Sequence, residues 1–257
     1  VRRPSRAHSG DAPAIRVPEV RSNPTYDRSL FCTESIVLDE KTSLAALIGS
    51  RICHDLISPI GAISNGLELA SLTKASSGGP EMDLIQQSCN NASARIRFFR
   101  VAFGSGQDTH ITPASEARST LLAHYAGTRI SASLNITDDM PRSDVQLAYL
   151  TVLCLETALP KGGTCDVEAD GTTLFVTARG RSLVNNTSHW GWFDIENSGP
   201  REDISPSTVQ FPMLAHLCQL RTLQPKVSFS ESSAEVRLTM TTRADWRCGP
   251  MRAHRQK

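Results

Sequence analysis

Apolar side chains between Met82 and Phe103 recur at steps that alternate three and four residues: Met82, Ile85, Cys89, Ala92, Ile96, Phe99 and Phe103. That period marks one helix with a coiled-coil-like seam, expected from near Glu81 until the breakers Gly104 and Gly106. An earlier helix is expected over residues 42–73, ended by "TKASSGGP" with Gly78, Gly79 and Pro80. Wound at about 100° per residue, its Ile48, Ile52, Leu56, Ile63 and Leu67 fall within an arc of roughly 100°, with Ile60 at the margin. Two long helices joined by a short connection make an antiparallel hairpin. A lone hairpin cannot bury a full core, so a partner hairpin, and hence a homodimer, is expected.

From about residue 110 to 243 the pattern changes to alternating helix and strand. "SEARSTLLAHYA" (115–126) reads as helix, "RISASLNI" (129–136) as strand, and "RSDVQLAYLTVLCLETAL" (142–159) as a strongly apolar helix stopped by Pro160, Gly162 and Gly163. "TCDVEAD" and "TTLFVTARG" read as a hairpin turning at Asp170–Gly171. "STVQFPMLAHLCQL" (207–220) is a further helix, followed by the strands "KVSFS" and "AEVRLTM". The sum is an α+β sandwich, with helices on one face of a mixed sheet. No internal repeat is visible.

Composition changes this picture only at the ends. Of 257 residues, 39% are hydrophobic and 21% charged, slightly below globular averages, which points to some non-folding segments. Residues 1–39, with Pro4, Pro13, Pro18 and Pro24 and no sustained period, read as a disordered leader. Residues 244–257, which end in "WRCGPMRAHRQK", read as a solvated basic tail. The domains expected between them are a hairpin over 40–106 and the sandwich over 107–243. A net charge of +1 gives no sign of a nucleic-acid or membrane partner, and no apolar run reaches the roughly 18–20 residues of a membrane span. Seven cysteines, scattered and without a C-x-x-C pair, argue for reduced thiols in a cytoplasmic protein and against a zinc site or a disulfide framework.

The first helix carries the candidate chemistry. His54 lies opposite the apolar arc, with Ser50, Ser58, Gly61 and Asn65 near it. A core histidine would share the stripe. Spacing alone leaves an ordinary surface histidine as the plainer reading, and the neighbours shift it. Pro59, inside the helix, costs roughly 3 kcal/mol unless compensated and suggests a deliberate bend. Imidazole, with a pKa near 6.5, presents a neutral nucleophilic nitrogen at neutral pH, which suits a phosphoryl carrier. Asp55 would orient or polarise the ring, or stand as a solvated carboxylate. Arg51, one turn earlier, would screen a phosphoryl charge, or stand as a plain surface arginine.

"HDLISPIGAISNGLEL", from His54 to Leu69, closely resembles the phosphoacceptor helix of alphaproteobacterial histidine phosphotransferases. It is more distantly similar to the H-box of sensor kinases, H-E-x-x-x-P. "SARIRFFRVAFG" (93–104), "LPKGG" (159–163) and "VQFPMLAHL" (209–217) extend the resemblance over roughly residues 42–242.

The resemblance implies a homodimer whose hairpins form a four-helix bundle of the dimerisation and phosphotransfer type, each subunit carrying a degenerate, Bergerat-like copy of the kinase ATPase fold. It implies transfer from the receiver aspartate of a hybrid histidine kinase such as CckA, through His54, to response regulators such as CtrA and CpdR in cell-cycle control. Ser50, Gly61 and Asn65 would then face the docking receiver, with Asp55, Arg51 and Ser58 assisting His54. No cofactor or metal is expected on this chain; Mg²⁺ belongs to the receiver's acidic pocket. Working kinases of this fold hold magnesium with an asparagine on the long apolar helix and read adenine with an aspartate on the next strand. Here "LTVLCLETALPKGG" offers Thr151, Cys154 and Glu156 but no asparagine, and "FVTARGRSL" has Gly180 with no aspartate before it and Arg181–Ser182 after it. Autokinase activity is therefore not expected. A true sensor kinase and a non-catalytic dimeric pseudokinase scaffold remain the alternatives.

Overall fold

A computed structural model describes residues 29–73, 79–105, 110–170, 173–193, 204–230 and 234–241. By its contacts the chain divides into Val1–Glu40 and Lys41–Lys257, and the second unit holds the whole sheet and the core. Helix α1 spans Ser29–Thr73 and α2 spans Pro80–Ala102. The start of α1 corrects one expectation: the end of the stretch read as a leader, residues 29–39, is helical. No proline or glycine interrupts the chain between Pro24 and Gly49, so nothing stops the helix from propagating backwards. Residues 1–28 and the tail 244–257 lie outside the described residues.

The second helix shows why the hairpin is not a separate core. Its expected seam divides. Ile85 and Phe99 are buried, whereas Met82 and Ile96 stay exposed. A second row, Ala94, Phe98 and Ala102, is buried throughout, because it faces helices α3 (Ala114–Tyr125) and α4 (Arg142–Glu156). Phe98 stacks on Tyr149 with centroids 4.6 Å apart, and on His124 at 3.8 Å. Phe98, Phe99 and Ala102 thus belong to the same core as the sheet, across the boundary expected at 106/107. Within the hairpin the helices pack closely at Gly66, where an added Cβ would stand 2.6 Å from the Ile85 side chain.

Two short strands missed by the pattern, β1 (Ile111–Thr112) and β3 (Met140–Pro141), pair antiparallel in front of α3 and α4. The main sheet holds β2 (Ile130–Leu134), β4 (Gly163–Asp170), β5 (Thr173–Arg179), β6 (Gln224–Ser230) and β7 (Glu235–Thr241). Its order is β2-β4-β5-β7-β6, with β2 and β4 parallel and every other pair antiparallel. The mixed sheet is as expected. The pairing Asp170↔Thr173 closes the hairpin around residues 171–172, so the expected turn at Asp170–Gly171 falls partly outside the described residues. Gly162, at φ +82°, lets the α4–β4 loop pass over β2: a Cβ there would run into the Arg129 carbonyl oxygen.

Helices cover one face of that sheet. Helix α4 is buried from Ser143 to Leu155, apolar nearly all round as a central helix must be. It lies on Cys165, Val167, Leu174, Val176, Ala178, Val236 and Leu238, which alternate inward along their strands. Helix α6 (Gln210–Leu220) packs beside α4. A short helix α5 (Thr187–Trp190) and a 3-10 turn (Gly191–Phe193), not expected from the sequence, bring Trp190 and Phe193 against Phe211 of α6. Among the described residues, no helix is long and apolar enough to cross a membrane.

Candidate functional site

His54 stands on the open side of α1 with 83% of its side chain exposed, on the face its spacing predicts. Its Nδ1 lies 3.0 Å from Oδ1 of Asp55. The second carboxylate oxygen of Asp55 accepts from Arg51 Nε at 2.9 Å, one helical turn back, and Arg51 Nη1 donates to the Ser207 carbonyl at 3.2 Å, just before α6. The three residues read from sequence as a cluster are therefore joined through Asp55. The Arg51 side chain, only 17% exposed, engages Asp55 and the Ser207 carbonyl.

Pro59 has a consequence for the same site. A proline lacks the N–H that would bond the carbonyl four residues earlier, which here belongs to Asp55. Arg95, on α2, supplies the missing donor: its Nη1 reaches the Asp55 carbonyl at 2.6 Å. Pro59 itself is buried inside a helix that continues through it. Asp55 is held at both ends, its carboxylate by Arg51 and its backbone by Arg95.

Burial raises the pKa of Asp55, but the hydrogen bond from His54 and the charges of Arg51 and Arg95 outweigh it and hold the carboxyl below its ordinary range. Asp55 is thus a fixed anion against Nδ1. The tautomer of a neutral histidine is set by the hydrogen bond that one nitrogen makes. A proton on Nδ1, donated to Asp55, leaves the lone pair on the exposed Nε2.

Ser50, Ser58, Gly61 and Asn65 are all exposed around the ring, and a Cβ built on Gly61 would meet nothing within 4 Å. Ser58 shares that face but does not enter the hydrogen-bonded chain. The face is not wholly polar, because Ile57 stands there 68% exposed.

Three members of this neighbourhood went unread in the sequence. Arg95 is one, and its signal was available: a proline inside a helix demands an outside donor. His124 is another, stacked on Phe98 and set edge-on to Tyr125. Burial pushes its pKa down to about 3, Arg95 and Arg51 act in the same direction, and Asp55 opposes them. The third is the pair in which Tyr125 Oη donates to Glu156 Oε2 at 3.0 Å. Burial raises the pKa of Glu156 despite that bond.

Comparison with known proteins follows the same lines. Residues 114–232 match the family model described as the histidine phosphotransferase C-terminal domain. The chain is 34% identical over 146 residues to "Protein phosphotransferase ChpT" of Brucella abortus (strain 2308), covering 54% of this chain and 69% of that protein. Among solved structures, a bacterial phosphotransferase determined at 1.7 Å superposes with a TM-score of 0.63 at 27% identity, over 77% of this chain and 96% of that one.

Proposed function

The chain belongs to the histidine phosphotransferase family and is a phosphotransferase, and from that premise we propose that His54 is its phosphoryl carrier. The observation that carries the reading is the exposed imidazole whose Nδ1 is 3.0 Å from an arginine-held carboxylate. In the forward step the Nε2 lone pair attacks the phosphorus of an aspartyl phosphate on a receiver domain. The N–P bond forms, the acyl P–O bond breaks, and the receiver carboxylate leaves. The ring then carries the phosphoryl group on Nε2 and its proton on Nδ1, and Asp55 offsets the imidazolium charge. In the second step the aspartate of another receiver attacks phosphorus, and the protonated ring leaves as neutral imidazole. The donor is the receiver of a hybrid kinase of the CckA kind, and the acceptors are regulators of the CtrA and CpdR kind. Mg²⁺ sits in the receiver's pocket. Ser50, Ser58, Gly61 and Asn65 give the receiver room to bring its aspartate to Nε2.

The working form is a homodimer. Ile60 and Leu67, seven residues apart on α1, are 53% and 55% exposed, and Met82 and Ile96 on α2 are 45% and 52% exposed. Leu56 and Ile63 border the first pair and Cys89 lies between the second, each half-buried. These rows repeat at seven residues, the spacing of a helix-bundle seam, and a second hairpin is their fitting cover.

No ATP is used. The polar groups that α4 offers in place of an asparagine are turned to other work: Thr151 Oγ1 donates to the Leu147 carbonyl, Glu156 accepts from Tyr125, and Cys154 is fully buried with its thiol pushed up by burial. Where an adenine-reading aspartate would precede Gly180, Ala178 lies buried in the core, and Leu159 packs within 2.6 Å of a Cβ built on Gly180.

The test is transfer of label from a phosphorylated receiver domain of a hybrid kinase, with and without ATP. The wild type is expected to take label from the receiver and none from ATP, and His54→Gln is expected to take neither. Label from ATP alone would make the protein a sensor kinase, and transfer unaffected by His54→Gln would remove His54 from the chemistry.

A further inference from the structure

We propose that Arg95 is a positioning residue for phosphoryl transfer: by donating to the Asp55 carbonyl that Pro59 leaves without its helical donor, it fixes the turn that sets Asp55 against His54 Nδ1. The inference rests on the reading of His54 as the carrier and adds a residue on the other helix of the hairpin to its machinery.

Three observations converge. Pro59 lies within α1 and takes away the one backbone donor that the Asp55 carbonyl would have. Arg95 Nη1 reaches that carbonyl at 2.6 Å from α2. The side chain of the same Asp55 is what touches the ring, at 3.0 Å. A loose turn at 55 would let the carboxylate drift, and a carboxylate acceptor is effective only over a narrow range of distance and angle. In water, neutral imidazole favours the proton on Nε2, which is the nitrogen that must attack. Holding Asp55 in place reverses that preference. Arg95 also brings positive charge near Asp55, which keeps the acceptor ionised. The bland alternative is a strut, in which Arg95 merely ties α2 to α1.

Pro59→Ala separates the two roles. Alanine at 59 restores the N–H that bonds the Asp55 carbonyl, so Arg95 becomes redundant for positioning but not as a strut. The experiment compares the full-length wild type, Arg95→Met, Pro59→Ala and the double variant. Phosphoryl acceptance is followed in single turnovers, across a range of concentrations of the phosphorylated receiver domain of a hybrid kinase, and the ring tautomer at position 54 by ¹⁵N resonances. Arg95→Met keeps most of the stem volume. It is expected to lower the saturated rate about tenfold, the loss of one charged hydrogen bond, without moving the half-saturating receiver concentration, and to raise the Nε2–H population. In the Pro59→Ala background the same change is expected to cost less than about twofold. Arg95→Lys, which keeps a cation and a donor, is expected to recover most of the rate, and stands in should Arg95→Met fail to fold.

A wild-type rate and tautomer in Arg95→Met, or an equal loss in both backgrounds, overturns the positioning role. His54→Gln run alongside keeps the two claims apart. If it accepts no phosphoryl group while Arg95→Met is unaffected, the carrier stands and only this inference fails; if it still accepts, the carrier reading fails first.

Discussion

His124 offers a magnitude that can be worked from the structure. Its ring is clamped between Phe98, with centroids 3.8 Å apart, and the edges of Tyr125 and Phe99. Burial and the charges of Arg95 and Arg51 oppose protonation, Asp55 favours it, and the net effect takes the pKa from 6.5 to about 3. The unfolded chain binds a proton here below its ordinary value and the folded chain does not. Stability is therefore fully present above 6.5 and is lost as pH falls toward 3. At about pH 5 the loss is roughly 2 kcal/mol, from about 1.4 kcal/mol for each of some 1.5 pH units. His124→Phe keeps the stack on Phe98 and removes the proton. Urea unfolding followed by circular dichroism, at one protein concentration because association adds to stability, gives both profiles between about pH 7.5 and 5. The wild type is expected to lose about 2 kcal/mol more than the variant over that range. Parallel profiles for the two proteins would refute the claim that His124 is held neutral against the hairpin.

Three other outcomes are expected. Gly66→Leu, placing a side chain where even a Cβ lies 2.6 Å from Ile85, should force the hairpin apart and lower the unfolding midpoint, by about 1–3 kcal/mol of overpacking; an unchanged midpoint would mean that the helices yield there without cost. Leu67→Glu with Ile96→Glu, both exposed in the single chain, should give a folded monomer in sedimentation, whereas a dimer of wild-type affinity would place the partner elsewhere. Gly61→Trp, with open space around it, should leave the circular dichroism signal intact yet weaken receiver binding at least tenfold, a loss of about 1.4 kcal/mol; unchanged affinity would mean that the receiver docks on another face.

Reading the hydrophobic period recovered the elements well, because long helices and alternating strands carry redundant signals. The second helix of the hairpin, the first from residue 42 onward, the buried α4 and the order of the strand segments follow from spacing and from Gly and Pro breakers. The seam of α2 was less legible. Ile85 and Ile96 read alike in one row, yet the first packs against Gly66 and the second stays open, and only the third dimension tells them apart. Phe98 sat outside the chosen row, so its insertion between His124 and Tyr149 was invisible, and with it the shared core. At the site, the exposure of His54 and the nearness of Asp55 followed from winding one helix. The turn of Arg51 toward Ser207 and the reach of Arg95 from the other helix join residues 156 and 40 positions apart, and no local pattern encodes such pairs. β1, β3 and α5 were missed because two- to four-residue elements carry no period.

The position and the nitrogen that carry the phosphoryl group are the most direct test of the central claim. The full chain is loaded from a phosphorylated receiver domain without ATP, and the modified residue is located by fragmentation and by the ³¹P and ¹⁵N resonances of the phosphorylated ring. A single phosphoryl group on Nε2 of His54, with a proton on Nδ1, is the expected result. Label on any other residue, or on Nδ1 of His54 where Asp55 stands, would contradict it.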